Sequence, residues 1–419
     1  MDLRFPEVLP DLLPIYYKRL FPFGPFCRWL SYGNLKENYF KHREFSLTLA
    51  DDVYLRFRSY ANQDELAAEV QKRGPYKIDI GAVYSFRPKD HRTVQVFQPL
   101  ERELVFDIDM TDYDEVRTCC SGADVCTKCW RFMTVACKVL DTALREDFGF
   151  EHLLWVFSGR RGVHCWVCDE AARKLDTSAR AALAEYLQLV SGGVNQTKKV
   201  TLPGDKLHHS IKRAKGFIEQ QFVTLVEEQD ILGSPAALAS VLALVTDAEL
   251  RQELEKEAQR YSSSRERWDA IVRYIHTQQE RGQLKRRQQF IVEEIMLQYS
   301  YPRLDINVTK GLNHLLKAPF CIHPKTGKVC MPFNPRSAEK FNPMTVPTIR
   351  LITSEVDAPN QTSMMQLIAS QLNFTSFSEF ESQRSSMSER VSTHRENLEN
   401  REKSGRFKKH NVYKRDVVI

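Results

Sequence analysis

The chain has no run approaching the roughly 20 apolar residues that a membrane-spanning helix needs. Its opening, Met1-Asp-Leu-Arg-Phe-Pro6, is charged and broken by proline, which predicts no secretory signal. In such a chain the ten cysteines are expected as thiols or metal ligands, not as a disulfide framework. The N-x-S/T sequences at Asn195, Asn307, Asn360 and Asn373 are likewise expected to be unglycosylated. Internal repeats are lacking, which excludes solenoids and propellers. Charge of one sign is also scarce: +6 over 419 residues does not demand a polyanionic partner, and permits one only if basic residues cluster. What remains, 42% hydrophobic and 27% charged, suits one large or two modest globular domains with real cores.

Patterning divides the chain unevenly. The first fifty residues read as helical, around Leu12 to Phe21 and again from Cys27 to Phe45. Period-two alternation follows over residues 52–60 and over Lys77–Tyr84, where Ile78, Ile80 and Ala82 oppose Asp79. A strand at 104–109, an amphipathic helix from Trp130 to about Glu146, and two strands at 153–158 and 162–168 come next. Residues 171–296 are rich in Ala, Leu, Glu, Gln and Arg and read as an inserted helical subdomain. A strand over 302–308 then returns, so the fold expected is α/β (α+β), with a sheet discontinuous in sequence. The core is assigned to residues 1–170 and 297–350, and a flexible basic tail to 380–419. Residues 401–419 of that tail hold seven Lys/Arg against two acids.

The most informative stretch is Leu104-Val-Phe-Asp-Ile-Asp109. Alternation puts Leu104, Phe106 and Ile108 on one face and Asp107 and Asp109 on the other, about 6.6 Å apart between Cα atoms. Two like charges held so close suit a shared divalent cation. They also suit an Asp-rich strand end running into a turn. Asp305, in Arg303-Leu-Asp-Ile-Asn-Val308, can supply a third carboxylate for Mg²⁺ or Mn²⁺, or be solvated. Ser158-Gly-Arg-Arg-Gly-Val-His164 offers the opposite charge. Its glycines would let the backbone approach a phosphate, and Arg160 and Arg161 would grip it. The same residues also suit a plain basic β-turn. Lys317 and His323 are further phosphate or base contacts, and Lys310 can equally be solvated. Arg56 and Asp79 reach the same cleft or pair structurally with each other or with neighbours.

Cys119, Cys120, Cys126 and Cys129 form a CC-x5-C-x2-C arrangement within eleven residues. Four thiolates can close a tetrahedral zinc site with bonds of about 2.3 Å, and such a site over 119–129 would clamp the loop after the acidic strand. Cys165-Trp-Val-Cys168 has similar spacing, but residues three apart on a strand face opposite ways, so these two are expected as core thiols.

Taken in order, these motifs resemble the archaeo-eukaryotic primase superfamily, most closely the small catalytic subunits of eukaryotic DNA primases. The resemblance is carried by Val105 to Asp109, Ser158 to His164 and Leu304-Asp305. It extends through Tyr16 to Pro22, His42 to Phe45, Pro75 to Ala82 and His323 to Gly327. It implies an RNA-recognition-like sheet, an attached helical subdomain and a structural zinc on the four clustered cysteines. It also implies synthesis of RNA primers on single-stranded DNA from ribonucleoside triphosphates. Asp107, Asp109 and Asp305 match the family's metal-binding acids. Ser158, Arg160, Arg161, His164, Lys317, His323, Arg56 and Asp79 match its nucleotide contacts. Glu44 matches an acid linked to activity, though nothing in its local sequence explains why. A primase large subunit, the DNA polymerase alpha complex and a nuclear location are implied with them.

Two other readings share the motifs. A primase-like repair polymerase would use deoxynucleotides. A zinc-stabilised single-stranded nucleic-acid-binding module would keep its acids for structure, though a binder relying on phosphate contacts usually shows a stronger positive stripe. A polymerase-beta type transferase would need a Gly-Ser turn ahead of the acidic strand, and none is present.

Overall fold

The computed structural model describes residues 5–32, 38–192 and 196–354. The tail expected at 380–419 and the sequons at Asn195, Asn360 and Asn373 lie outside the described residues. Helices α1 (Phe5–Arg19) and α2 (Phe23–Ser31) lead into strands β1 (Arg43–Thr48) and β2 (Tyr54–Arg58). Residues 43–48 are therefore strand, not helix as patterning suggested. Their alternation is hidden because Arg43, Glu44 and Ser46 are as buried as Phe45 and Leu47. Helix α3 (Gln63–Arg73) is bounded as its sequence dictates. Asn62 caps its start by accepting from the Glu65 amide, and Gly74 ends it in the left-handed region.

Strands β3 (Lys77–Tyr84), β4 (Pro99–Glu101) and β5 (Leu104–Asp109) precede α4 (Thr127–Glu146), β6 (Leu153–Phe157) and β7 (Gly162–Val167). Next come helices α5 (Glu170–Arg173), α6 (Thr177–Leu187), α7 (His209–Glu228), α8 (Pro235–Leu242), α9 (Ala248–Ala258), α10 (Ser264–Glu280) and α11 (Ile291–Ser300). The chain closes through α12 (Ile306–Lys310), β8 (Leu316–Lys317), β9 (Pro332–Phe333) and α13 (Ile349–Ser354).

Two antiparallel sheets result. One has the order β2-β1-β3-β4 with β8 also on β3; the other runs β5-β7-β6-β9. The mixed α/β class expected from the sequence is borne out, with sheets discontinuous in sequence. The return, however, is made by β8 and β9 and not by a strand at 302–308. There Asp305 caps α12, its carboxylate accepting from the Asn307 amide at 3.0 Å. The apparent alternation of Leu304, Ile306 and Val308 was a cap followed by one helical turn.

Helices α7 to α11 share a core of their own, including Phe222, Leu254, Trp268, Ile271 and Ile295, to which α4 adds Val135 and Val139. On its other side α4 meets the second sheet and the turn after β5, with Trp130 edge-on to Phe157 and Phe132 against Tyr113. One amphipathic helix thus ties the helical region to the strand bearing the acids.

Candidate active site and metal centre

The register of β5 against β7 sets Asp107 opposite His164 and Asp109 opposite Gly162. Asp107 and Asp109 keep about a third of their side-chain surface, 29% and 34%. Asp305 arrives from far along the chain, its amide donating to the Asp107 carbonyl at 3.2 Å. Burial pushes the Asp107 carboxyl up to about 7, with the charges of Asp109 and Asp305 adding to the shift. Asp112 is raised by the same causes. Neighbouring like charges thus add to burial in disfavouring the ionised form of both acids. Asp109 is held by Thr111, whose amide and hydroxyl both donate to it, and by Arg161 Nε at 2.8 Å. Arg161 therefore rests on an acid, not on the open side of the turn.

The turn itself is built by packing. Gly159 has φ +86°, and a Cβ there would stand 2.7 Å from the Cβ of His323. A Cβ at Gly162 would meet the Ile108 carbonyl at 2.4 Å. These glycines were expected to admit a phosphate; close approach of β5 and of the His323 loop already requires both. Lys317 Nζ donates to the Ser158 carbonyl at 2.7 Å, and Thr326 Oγ1 to that of Gly159. His323 lies here too. Its Nδ1 accepts from the Lys325 amide at 3.3 Å, leaving Nε2 as the N–H donor. Burial, with Lys317 and Arg160 nearby, lowers His323 to about 2, and burial beside Lys317 lowers His164 to about 3. Both imidazoles are neutral at physiological pH. Nε2 of His164 faces Asp107 at 3.5 Å, and its buried Nδ1 has no hydrogen-bond partner.

Arg56 and Asp79 do not pair with each other. Asp79, 1% exposed, faces Lys77 Nζ at 3.1 Å and accepts from Ser46 Oγ at 3.1 Å. Arg56 Nε donates to Glu44 at 3.1 Å. Glu44 also accepts from the Phe57 amide and the Tyr84 hydroxyl. Between Phe45↔Arg58 and Leu47↔Leu55, β2 carries one residue more than β1, and Phe57 takes up the bulge at φ +55°. Such a conformation is costly for a bulky residue. Fully buried Glu44 holds both the bulge amide and the arginine that the bulge aims, which its local sequence does not reveal. Lys310 pairs with Glu185 on α6.

The four clustered thiols lie within 4.8 Å of one another, the only such group of potential metal ligands among the described residues. Sγ of Cys126 is 3.5 Å from that of Cys119 and 3.9 Å from that of Cys129, near the roughly 3.8 Å edge of a zinc–thiolate tetrahedron. Burial alone would raise Cys126, but the Cys129 amide and the neighbouring thiols bring it down to about 7. Buried Arg117 donates to the Gly122 and Asp124 carbonyls and approaches Cys129 Sγ at 3.7 Å. The loop is also pinned to the end of α7, where Gln229 Oε1 accepts from the amides of Thr118 and Cys119. These residues fit a zinc ion. Cys165 and Cys168 are buried thiols, the latter accepting from Trp29 Nε1, as their strand spacing predicted.

Sequence reasoning passed over Asp112, Thr111, Lys77, Arg117 and Gln229. Thr111 and Asp112 follow the acidic strand directly and were legible as its neighbours. Gln229 lies 110 residues from Cys119, and no local signal marks it.

A family model described as DNA primase small subunit matches residues 106–335. A Drosophila melanogaster protein named DNA primase small subunit is 52% identical over 365 residues, covering 84% of this chain and 83% of its own. A protein of the same name from Schizosaccharomyces pombe is 42% identical over 359 residues, covering 83% and 78%. One from Saccharomyces cerevisiae is 37% identical over 363 residues, covering 84% and 87%.

Proposed function

This chain belongs to the DNA primase small subunit family, and on that premise we propose that it is the catalytic subunit of a primase, joining ribonucleoside triphosphates into short RNA primers on single-stranded DNA. The observation that carries the reading is the convergence of Asp107, Asp109 and Asp305, from two distant segments, with Asp107 pushed up to about 7 by burial and by its two neighbours. Mg²⁺ or Mn²⁺ bound by these acids would polarise the α-phosphate and stabilise the attacking and leaving oxygens.

The chain's own groups do the rest. Lys317 and Arg160, with the Nε2–H of His323, present positive charge and donors to a triphosphate beside the 158–162 turn. His164, kept neutral, donates or accepts without adding charge. A cation held by Asp109 would take the place of Arg161, whose guanidinium would then be free for phosphate oxygens. Arg56, aimed by Glu44, and Asp79, held by Lys77 and Ser46, bind the remainder of the nucleotide. Cys119, Cys120, Cys126 and Cys129 would hold a zinc whose role is structural, four thiolates leaving no place for a reacting group. The partners follow from the same role: a primase large subunit, a DNA polymerase alpha complex, a DNA template, and replication in the nucleus.

The test is incorporation of labelled ribonucleotides on a single-stranded DNA template with Mg²⁺ or Mn²⁺, by the wild-type chain beside Asp109→Ala. Metal-dependent short RNA from the wild type alone is expected. A preformed primer in parallel reactions separates a chain that lacks only initiation from one that does not catalyse. Absence of extension in both would overturn the reading.

A further inference from the structure

Arg102 sits between β4 and β5 and is fully buried. Among the described residues it forms no ion pair; its Nη1 donates instead to two backbone carbonyls, Val308 at 3.2 Å and Gly311 at 2.6 Å. Burying a guanidinium without a counter-ion is expensive, so its placement needs a reason. The two carbonyls belong to the last turn of α12 and the residue that ends it, and Asp305 caps the other end. A helix of five residues is not stable by itself. Here both ends are held by one short stretch of chain, since the Asp305 amide donates to the Asp107 carbonyl and Arg102 takes the far end. The guanidinium also meets the negative end of the helix dipole. Its own backbone is anchored: the Arg102 carbonyl accepts from Arg180, and its amide donates to the Arg173 carbonyl at 3.1 Å.

We propose that Arg102 is a positioning residue for the third carboxylate, fixing α12 along β5 so that Asp305 is held beside Asp107 for the binding of divalent cations. This rests on the reading of those three acids as metal ligands. Arg102 touches neither nucleotide nor metal; it acts through the backbone of α12.

The test titrates Mn²⁺ into the full chain without nucleotide, following free Mn²⁺ by electron paramagnetic resonance, for wild type, Arg102→Met, Arg102→Lys and Asp305→Asn. Mg²⁺ half-saturation and nucleotide KM of primer extension are measured alongside. Arg102→Met should weaken Mn²⁺ binding and raise the Mg²⁺ half-saturation about tenfold, as loss of a group orienting a ligand does. Nucleotide KM at saturating metal should stay unchanged. Arg102→Lys should recover part of the loss, because one cationic donor still reaches the carbonyls. Wild-type Mn²⁺ affinity in a folded Arg102 variant would overturn the inference. So would failure of both variants to fold, which would assign Arg102 to the core alone. Unchanged Mn²⁺ binding by Asp305→Asn would instead remove the premise that Asp305 is a ligand.

Discussion

The cysteine cluster and the acid cluster both gather groups that repel one another when charged, and the chain supports them differently. The thiols come from eleven consecutive residues and already lie within 4.8 Å of one another, backed by Arg117 and Gln229. The carboxylates come from segments nearly 200 residues apart, do not close to that distance, stay partly open, and lean on Arg161. A structural metal is served by a closed, locally encoded cage; a reacting metal needs open positions and ligands set by tertiary contacts. With zinc bound, the first arrangement would add to folding free energy; the second sets like charges against one another around Asp107.

That contrast can be broken most directly at the acids. Asp107→Ala or Asp109→Ala should lower ribonucleotide incorporation on the order of a thousandfold, with zinc content preserved and the Asp107→Ala melting temperature not lowered. Zinc loss accompanying either substitution would show that the two centres are not separate. Chelation, or Cys129→Ser, should do the converse and lower the melting temperature by about 5 °C or more. Metal analysis finding no zinc in protein purified without chelators would defeat that half.

Glu44→Gln lies between these extremes. Weakening its hold on Arg56 and on the Phe57 bulge should raise nucleotide KM about tenfold with a smaller change in kcat. An unchanged KM would mean that Arg56 does not bind nucleotide. The smallest effect concerns pH. Asp107 binds its proton more tightly folded, at about 7 against 3.8. Stability without divalent cations should therefore fall as pH rises from about 4 to 7. Asp107→Asn should flatten that slope and Mg²⁺ should oppose it, as thermal melts across that range would report.

Much of this was legible in the residues. Strand β3 at Lys77–Tyr84 and β5 at Leu104–Asp109 have the bounds that alternation predicts, because each buries one apolar face without interruption. Helix α4 and the cysteine cage are local as well. Where buried side chains were charged, patterning failed: Arg43 and Glu44 disguised β1, since Arg43 pairs with Glu103, 60 residues on, at 2.7 Å. Burial would raise Glu103, yet Arg43 outweighs it and draws the carboxyl to about 2. No local window contains such a partner.

By itself the sequence determined the chemical inventory: two acids on one strand face, a basic turn closed by two glycines, a third acid, and four thiols spaced for zinc. Each depends on contacts spanning a few residues, whose geometry the backbone period dictates. Tertiary structure alone decided that Asp305 caps a helix beside Asp107, that Glu44 steers Arg56, that Gln229 grips the cysteine loop, and that Arg102 holds the far end of α12. Those outcomes turn on partly buried hydrogen bonds between groups 12 to 209 residues apart. Such partners become satisfied only once the core excludes water and leaves them no alternative.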